Sequence, residues 1–480
     1  MKKKSLFING QWFVGTGDFF KSINPSDGTE LWEGNSASRT EINAAFDAAK
    51  SAHKVWSSMS FVSRKEIILK FKNLALEANP EMSELISKET GKQLWDSKGE
   101  ASALPNKVDV SLTSYLDRTG QINKNTPFGS AALRHKPHGV FAVLGPYNFP
   151  AHLPNGQILP ALIAGNTIVF KPSDQTPAVG EALIKLYEKA GFPKGVINMV
   201  QGSGAVGKLM LDHPDLSGVL FTGSAESGRM IHKKFGGKPE VILALEMGGN
   251  NPIIAWDVDN AEEAASIIIQ SAFITSGQRC TCARRLIVPD NEKGQLIIES
   301  TMNAMDRITL NRWNIEASMG PVINQDAASK IVEDANSLNG RVIRASSISE
   351  LGSAFVTPAL IDVTDTKKID KEIFGPVLQV VRVPDWDTAI YEANNTNFGL
   401  AAGLISNNKD LWETFHNNVR AGIVNFNRPT TGAASFLPFG GPGFSGNHNP
   451  GAYYSADFCA WPMASQISNK PSILEFKGLR

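Results

Sequence analysis

A long stretch without a formal charge does most to limit how this chain can fold. From Gly139 to Phe170 the sequence contains no Asp, Glu, Lys or Arg, so the stretch belongs in an apolar interior. A membrane-spanning helix would need about 20 continuous apolar residues. Four prolines between residues 146 and 160 interrupt that continuity, because proline lacks a backbone N–H and kinks a helix. The stretch is therefore predicted to form a buried strand, a loop, a helix and a second strand, and no membrane segment.

Short apolar strands alternate with helical stretches along most of the chain. The first series of predicted strands comprises residues 140–144, 167–170, 195–200 and 218–221. The second series begins after Gly249, with predicted strands at 252–255, 286–288, 377–383 and 422–427 and a helix from about residue 261 to 275. This alternation is typical of a parallel sheet covered by helices. A chain of 480 residues can hold two or three domains, and a change of domain is predicted near residues 247–250.

Local signals near the two ends predict three further elements. An Asn-Gly dipeptide at residues 9–10 lies between two short apolar runs, which favours the tight turn of a β-hairpin. Ser38 and Glu41 have the spacing of a capping box, so a helix is predicted to begin there. Near the carboxyl end, residues 473–476 are predicted as a strand.

Charge and cysteine content exclude several classes of protein. Lys plus Arg and Asp plus Glu both number 47, so the net charge is zero and no nucleic-acid partner is predicted. The three cysteines, Cys280, Cys282 and Cys459, are too few and odd in number for a disulfide framework, which favours a reducing, cytoplasmic location. The Cys280–Cys282 pair has no further Cys or His at ligand spacing, so no metal site is predicted.

The strongest sign of chemistry is a cysteine on a Gly-containing segment together with a glutamate beside paired glycines. These are Cys280, which follows Gly277-Gln278-Arg279, and Glu246. A thiol can attack a carbonyl, and a carboxylate can activate the water that releases the product. If both face one cleft, the chain is an enzyme that forms an acyl intermediate. Taken alone, Cys280 is compatible with a thiol hydrolase, an acyltransferase or a dehydrogenase.

Three weaker motifs could bind a nucleotide or an oxyanion. At residues 221–228 a strand runs into a Gly-Ser turn and a helix start, whose free N–H groups favour a phosphate, although G-x-G-x-x-G is absent. Lys171 and Asp174 follow another strand and could hold ribose hydroxyls. Asn148 lies in a proline-stiffened loop, where its amide could donate to a developing oxyanion. Each motif also has a purely structural interpretation. Residues 221–228 could be a plain strand-to-helix turn, Lys171 and Asp174 could lie in a solvated loop, and Asn148 could cap a turn.

Taken together, the motifs of this chain resemble those of the aldehyde dehydrogenases. The resemblance covers nearly the whole chain, and the motifs occur in the order found in that family. They are Pro-Tyr-Asn-Phe-Pro around Asn148, Lys171-Pro172-Ser173, Phe221-Thr222-Gly223-Ser224, Glu246-x-Gly248-Gly249, Gly277-Gln278-x-Cys280, Glu372-Ile373-Phe374-Gly375-Pro376 and Pro438-Phe439-Gly440-Gly441.

The resemblance implies an α/β fold of the aldehyde dehydrogenase type with three parts. A Rossmann-type dinucleotide-binding domain would comprise residues 1–117 and 137–247, and an α/β catalytic domain would comprise residues 248–445. Residues 118–136 and 446–480 would form a small β oligomerisation arm and the tail. A homodimer or homotetramer is therefore expected.

The resemblance also implies a mechanism for oxidising an aldehyde. Cys280 would attack the aldehyde to give a thiohemiacetal, whose oxyanion would be held by Asn148 and by the backbone N–H of Cys280. Loss of hydride to a nicotinamide would leave a thioester. Glu246 would then activate the water that hydrolyses it.

The expected cofactor is NAD, with NADP as the alternative. Members of the family that prefer NAD usually carry Glu where this chain has Asp174. The shorter acid still repels a 2′-phosphate but reaches the ribose less easily. The expected cofactor residues are Lys171, Asp174, Gly223, Ser224, Ala225, Glu226, Ser227, Gly228, Glu372 and Phe374.

Within the family, the chain is most similar to members that oxidise a succinylated glutamate semialdehyde in arginine catabolism. The similarity lies at residues 150–156, 246–252 and 280–285 and in the tail from 446 to 465. That substrate carries two carboxylates, so Arg279 and Arg428 are candidates for binding it. The alternatives are oxidation of glutamate or succinate semialdehyde, an acylating reaction with coenzyme A, and an inactive binding protein. Glu246 argues against the acylating reaction, and the complete set of catalytic residues argues against an inactive protein.

Overall fold

Strands and helices alternate through most of the structure, which is a computed structural model that describes residues 3–127, 129–471, 473 and 476–478. The strands are β1 (Leu6–Ile8), β2 (Gln11–Phe13), β3 (Phe19–Ile23), β4 (Glu30–Asn35), β5 (Ile122–Thr126), β6 (Gly129–Pro137), β7 (Val140–Leu144), β8 (Thr167–Lys171), β9 (Ile197–Met199), β10 (Leu216–Gly223), β11 (Ile242–Met247), β12 (Asn251–Ala255), β13 (Ala283–Pro289), β14 (Arg341–Arg344), β15 (Ala359–Asp362), β16 (Val377–Val383), β17 (Ala401–Ile405), β18 (Ile423–Phe426), β19 (Pro438–Phe439), β20 (Gly451–Ala452) and β21 (Ala460–Ile467).

The helices lie mainly between these strands. They are α1 (Arg39–Trp56), α2 (Phe61–Glu77), α3 (Asn79–Thr90), α4 (Leu94–Arg118), α5 (His152–Ala164), α6 (Pro177–Ala190), α7 (Gly204–Met210), α8 (Ala225–Phe235), α9 (Ala261–Phe273), α10 (Glu292–Met305), α11 (Gln325–Ser337), α12 (Trp386–Asn394), α13 (Asp410–Asn418) and α14 (Ser455–Cys459). Short 3-10 helices occur at Ile274–Gly277 and Gly443–Ser445. No helix in the described part of the chain is both long and apolar enough to cross a bilayer.

The first sheet has seven strands in the order β11-β10-β7-β8-β9-β1-β2. The strands from β11 to β9 are parallel, and β1 is antiparallel to both of its neighbours. The uncharged stretch forms β7, a loop, α5 and β8, which confirms the prediction, and both strands are buried along their full length. The strands predicted at 195–200 and 218–221 correspond to β9 and β10.

The second sheet also has seven strands, in the order β14-β15-β16-β13-β12-β17-β18. All of its pairings are parallel except that of the edge strand β14. The four strands predicted after residue 249 are present as β12, β13, β16 and β18, and the predicted helix is α9. The chain passes from the first sheet to the second between Met247 and Asn251.

The order of strands in the first sheet determines where a ligand can bind. β7 lies between β10 and β8, so the connections on its two sides run in opposite directions across the sheet. In open parallel sheets, ligands bind outside the carboxyl ends of the strands at such a reversal. The strands end there at Leu144, Lys171, Gly223 and Met247.

Helices cover both faces of the first sheet, because alternate side chains of each strand point to opposite faces. Phe141, Val143, Ile168 and Phe170 pack into one core with helices α2, α4, α5 and α6. The intervening residues of β7 and β8 join a second core with α1, α7 and α8. The sheet is therefore held rigidly between two apolar layers, and its carboxyl edge has a fixed position.

A separate antiparallel sheet consists of β5, β6 and β21. β21 pairs with β6 along the whole of its length, from Ala460 opposite Pro137 to Ile467 opposite Ser130. This pairing connects the carboxyl-terminal part of the chain to the segment between α4 and β7. The strand predicted at 473–476 lies partly outside the described residues.

The two local predictions near the amino terminus are confirmed. Asn9 and Gly10 have φ values of 51° and 74°, as a two-residue type I′ turn requires, and they join the antiparallel strands β1 and β2. The Glu41 carboxylate accepts a hydrogen bond from the Ser38 backbone N–H at 2.8 Å, and α1 begins at the next residue after Ser38.

Candidate active site

A cleft of about 420 Å³ lies at the carboxyl edge of the first sheet and is bordered on its other side by loops from the second. Its lining includes the ends of β7, β8, β10 and β11. A cavity therefore lies at the point where the strand order of the first sheet predicts a ligand. Ten of the site residues predicted from the sequence line it, namely Asn148, Lys171, Asp174, Gly223, Ser224, Ser227, Glu246, Cys280, Glu372 and Phe374. The candidate catalytic residues and most of the candidate cofactor residues therefore share one cavity.

Cys280 follows a backbone segment in an uncommon conformation. Thr275, Ser276 and Gly277 have φ values of 55°, 54° and 71°. The left-handed region is costly for a residue with a Cβ, by roughly 1–3 kcal/mol, and most of all for β-branched Thr. A Cβ at Gly277 would lie 2.1 Å from the carbonyl oxygen of Gly375, so only glycine fits there. Such a conformation persists only where surrounding contacts fix it.

The Thr275 and Ser276 hydroxyls donate hydrogen bonds to Asp96 and to the carbonyl oxygen of Gly320. The side chain of Arg284 provides the contact at Gly277. Its guanidinium donates hydrogen bonds to the carbonyl oxygens of Gly277 at 2.8 Å, Arg279 at 3.0 Å and Gly375 at 3.2 Å. Arg284 is only 1% exposed, so water does not compete for these bonds. The segment before Cys280 is thereby joined to the loop at residues 372–376.

The side chain of Cys280 is partly exposed to the cleft. Burial raises the pKa of the thiol above its usual value, and the carboxylates of Glu372 and Glu246 raise it further. The thiol therefore needs a base to accept its proton as the sulfur attacks. Asn148 Nδ2 donates to the carbonyl of Gln278 at 2.9 Å, so the Asn148 amide lies beside the segment that carries the cysteine.

Glu246 lies at the end of β11, in register with Thr222 of β10. Its carboxylate accepts a hydrogen bond from the Thr222 hydroxyl at 3.4 Å, and Gln157 Nε2 donates to the same hydroxyl at 2.9 Å. Burial raises the pKa of Glu246 to about 7, although Lys107 and Thr222 oppose the rise. A Cβ at Gly451 would lie 1.8 Å from Oε1, so the glycine leaves room for the carboxylate. A carboxylate with a pKa near neutrality is suited to act as a general base.

Glu372 lies against the backbone of Gly248. A Cβ at Gly248 would lie 1.6 Å from Oε2 of Glu372, so the glycine leaves room for the carboxylate. Its Oε1 is 3.5 Å from Arg284 Nη2 and accepts no hydrogen bond from the described part of the chain. Burial raises the pKa of Glu372, and Arg284 opposes the rise. Phe374 meets the ring of Tyr147 edge-on, with 6.0 Å between the centroids. Because Glu372 lines the cleft, its carboxylate can accept a hydrogen bond from a ligand hydroxyl.

The far end of the cleft combines a lysine, an aspartate and a helix terminus. Lys171 Nζ donates to two backbone carbonyls, each at 2.8 Å, and burial lowers its pKa to about 8. Asp174 lines the same end of the cleft. Ser224 caps α8, because its hydroxyl accepts a hydrogen bond from the Ser227 N–H at 3.2 Å. The N–H groups of a helix terminus attract an anion such as a phosphate.

Five predicted site residues are not part of this lining, namely Ala225, Glu226, Gly228, Arg279 and Arg428. The first three lie in the amino-terminal part of α8, after its cap residue Ser224. Gly228 packs against Met247, because a Cβ at Gly228 would lie 2.2 Å from the Met247 sulfur. Arg279 forms an ion pair with Asp96 at 2.7 Å. Arg428 follows β18 and is exposed. The structure therefore brings neither arginine into the lining of the cleft.

Four side chains of the site were not predicted from the sequence, namely Arg284, Thr222, Gln157 and Lys107. Thr222 belongs to a recognised motif, so its position beside Glu246 could have been inferred from the pairing of neighbouring parallel strands. Gln157 and Lys107 lie on helices, and Arg284 lies on β13. Gln157 belongs to the uncharged stretch that was predicted to be buried. Nothing in the local sequence of Lys107 or Arg284 indicates burial, because Arg and Lys are mostly exposed in proteins.

Comparison with known proteins identifies the family. Residues 12–461 match the Aldehyde dehydrogenase family. The chain belongs to the aldehyde dehydrogenase family. It is 47% identical to the N-succinylglutamate 5-semialdehyde dehydrogenase 2 of Caulobacter vibrioides, over 99% of each chain.

Solved structures confirm the aldehyde dehydrogenase fold. A 1-pyrroline-5-carboxylate dehydrogenase from Thermus with bound NAD has a TM-score of 0.91 and 26% identity, over 97% of this chain and 92% of that one. An NADP-dependent glyceraldehyde-3-phosphate dehydrogenase from Bacillus halodurans, complexed with NADP, has a TM-score of 0.89 and 28% identity, over 97% and 99%. The α/β fold class predicted from the sequence is therefore confirmed.

The contacts of Arg284 predict that this aldehyde dehydrogenase loses activity in Arg284→Lys. Lysine keeps the charge but cannot donate to three carbonyls in a fixed planar arrangement. Displacement of a reacting group by about 1 Å can lower a rate roughly 100-fold. We therefore expect the first turnover of NADH formation to slow by about 100-fold, measured by stopped-flow absorbance.

The exposed Arg307 provides a matched control. Arg307→Lys should keep the wild-type rate of the first turnover. A wild-type rate in Arg284→Lys would show that the guanidinium does not position the cysteine.

Proposed function

We propose that this chain catalyses the NAD-dependent oxidation of N-succinyl-L-glutamate 5-semialdehyde to N-succinyl-L-glutamate, a reaction of arginine catabolism. The observation that carries the proposal is the identity of 47%, over 99% of each chain, with a relative named for that substrate. The position of Cys280, Glu246 and Asn148 around one cleft supports the chemistry.

Cys280 is the nucleophile of the proposed reaction. Its sulfur bonds to the aldehyde carbon and gives a thiohemiacetal, while the thiol proton passes to a base. The backbone N–H of Cys280 and the Asn148 amide hold the oxyanion. The Asn148 amide has two N–H donors, and the carbonyl of Gln278 occupies one of them, so the other can reach the oxyanion.

A nicotinamide dinucleotide fits the rest of the cleft. Ser224 marks a helix terminus for the pyrophosphate, and the carboxylate of Glu372 lines the same cleft, where it can accept a hydrogen bond from the nicotinamide ribose. Phe374 lies beside Glu372 in the same lining. A bound nicotinamide would supply the hydride acceptor for oxidation of the thiohemiacetal, and the thioester would remain on Cys280.

NAD is the proposed form of the cofactor. Lys171 and Asp174 lie together at the end of the cleft that would hold the adenosine ribose. The carboxylate of Asp174 attracts ribose hydroxyls and repels a 2′-phosphate. The solved relatives include one with NAD and one with NADP, so the family alone does not decide between them.

Glu246 completes the proposed reaction by removing a proton from water. The resulting hydroxide attacks the thioester carbon, the C–S bond breaks, and the free acid and the Cys280 thiol are released. An enzyme that transfers its acyl group to coenzyme A has no need of a base for water. Glu246 therefore favours the free acid as product.

The sheet of β5, β6 and β21 is the proposed oligomerisation arm. Ile122, Trp461 and Ile467 expose between 41% and 47% of their surface on it, and a second subunit would cover such apolar side chains. We infer a homodimer or homotetramer, with the arm at 118–136 and 446–480, the dinucleotide-binding domain at 1–117 and 137–247, and the catalytic domain at 248–445. The cytoplasmic location stays a prediction.

The proposed substrate and cofactor are tested together by measuring NADH or NADPH formation across a panel of aldehydes. The panel contains N-succinylglutamate, glutamate and succinate semialdehydes, each with NAD and with NADP. We expect the highest kcat/KM for the N-succinylglutamate compound with NAD. Equal values for the three aldehydes would contradict the proposed substrate, and acyl-CoA formation on addition of coenzyme A would contradict the proposed product.

The raised pKa of Glu246 predicts how turnover depends on pH. Only the deprotonated carboxylate can accept a proton from water, and its pKa is about 7. When hydrolysis limits turnover, kcat should be constant above pH 8 and fall about tenfold per unit well below pH 7. The amplitude of the NADH burst, which precedes hydrolysis, is the internal control. A kcat that stays constant from pH 5.5 to 9 would show that Glu246 is not the base.

A further inference from the structure

A lysine on α4 is buried beside the proposed general base. Lys107 is 7% exposed, and it lines a narrow cavity of about 90 Å³ together with Glu246, His152 and Ser435. This cavity shares Glu246, Leu153 and Phe439 with the large cleft. None of the proposed cofactor residues lines it. The cavity therefore approaches the reacting centre from the side left for the aldehyde.

The ammonium group of Lys107 differs from two other cations near the site. Lys92 Nζ is 2.6 Å from a carboxylate oxygen of Glu100, and Arg279 Nη2 is 2.7 Å from one of Asp96. Within the described part of the chain, Lys107 forms neither a hydrogen bond nor an ion pair that meets ordinary distance limits. A buried cation without a partner is costly, so a ligand that supplies an acceptor gains affinity.

The Lys107 side chain packs against Gly156 of α5, which lines the same cavity. A Cβ at Gly156 would lie 3.2 Å from its Cε, so the glycine on α5 leaves room for the lysine stem. Burial together with Lys107 and Lys92 lowers the pKa of His152 to about 3, so the histidine adds no positive charge. Burial lowers the pKa of Lys107 itself, while Glu246 opposes that effect.

We propose that Lys107 binds a carboxylate of the aldehyde substrate and thereby selects anionic aldehydes over neutral ones. The proposal rests on the proposed function, since N-succinylglutamate semialdehyde carries two carboxylates. It replaces the two arginines considered from the sequence, because Arg279 is paired with Asp96 and Arg428 lies outside the cleft. Lys107 is thus a specificity-determining residue, and the bond-making steps belong to Cys280 and Glu246.

The test compares Lys107→Met with the wild type, since methionine has a similar length and no charge. The selectivity is measured as kcat/KM for N-succinylglutamate semialdehyde divided by kcat/KM for hexanal. Loss of a hydrogen bond between charged groups should lower this ratio by about 10- to 100-fold. The Ki of N-succinylglutamate, used as a product inhibitor, should rise by a similar factor. Turnover of hexanal by Lys107→Met shows that the active site of this variant is folded. If Lys107→Met does not turn over hexanal, Lys107→Gln is used as the second variant.

The exposed Lys98 on the same helix is the matched control, and Lys98→Met should keep the wild-type selectivity. An unchanged ratio in Lys107→Met and Lys107→Gln would overturn the proposal. An equal loss for both aldehydes, with the pH profile of kcat displaced, would also overturn it and show that Lys107 acts only through Glu246.

Failure of the proposed substrate gives a different result. If wild-type enzyme does not prefer N-succinylglutamate semialdehyde to succinate semialdehyde, the proposed function is wrong. In that case, kcat/KM for succinate semialdehyde is divided by kcat/KM for hexanal, in the wild type and in Lys107→Met. Comparison of these two ratios decides whether Lys107 binds a carboxylate. A fall in that ratio supports the carboxylate site, and no change refutes it.

Discussion

The hydrogen bonds from Arg284 to the carbonyls of Gly277, Arg279 and Gly375 are the contacts on which the geometry of the site most depends. They fix Gly277, the last of three successive residues with positive φ. The hydroxyls of the other two, Thr275 and Ser276, donate hydrogen bonds to Asp96 and to the carbonyl oxygen of Gly320. Gly375 belongs to the loop that carries Glu372 and Phe374. The buried side chain of Arg284 therefore aligns Cys280, the proposed nucleophile, with these two proposed cofactor residues.

Burial also determines the charge states in the cleft. It raises the pKa of Glu246 to about 7 and raises those of Glu372 and the Cys280 thiol. The two carboxylates disfavour a thiolate next to them, so the thiol proton must leave as the sulfur attacks. Glu246, with its pKa near neutrality, can accept a proton from the hydrolytic water and return it within one cycle. Lys107 adds a positive charge at the substrate side, where it can attract an anionic aldehyde and moderate the pKa of Glu246.

The sequence allowed much of the fold to be predicted, because buried parallel strands are continuous apolar runs. β7 and β16 have the predicted bounds, and the reversal at β7 places the ends of β8, β10 and β11 around one cavity. β21 was not predicted. It pairs at the exposed edge of a small sheet and includes a proline, so its residues lack the apolar run of a core strand.

The candidate site was predictable only where its residues belong to short motifs. The role of Arg284 depends on Gly375, which is 91 positions away in the chain, and that proximity arises only when β13 and β16 pair. Lys107 is a lysine on a helix, a position that ordinarily faces solvent. Its burial depends on the packing of α4 against α5 and on the space left by Gly156.

The central claim is that Cys280 carries the acyl group and Glu246 releases it to water. The most direct test is intact-protein and peptide mass spectrometry of Glu246→Gln after mixing with N-succinylglutamate semialdehyde and NAD. The account predicts a mass increase equal to one acyl group, located on the peptide that contains Cys280 and removed by hydroxylamine, with no such adduct in the Cys280→Ala, Glu246→Gln double variant. An unmodified Cys280 after a full burst of NADH, or an adduct at another residue, would contradict the account.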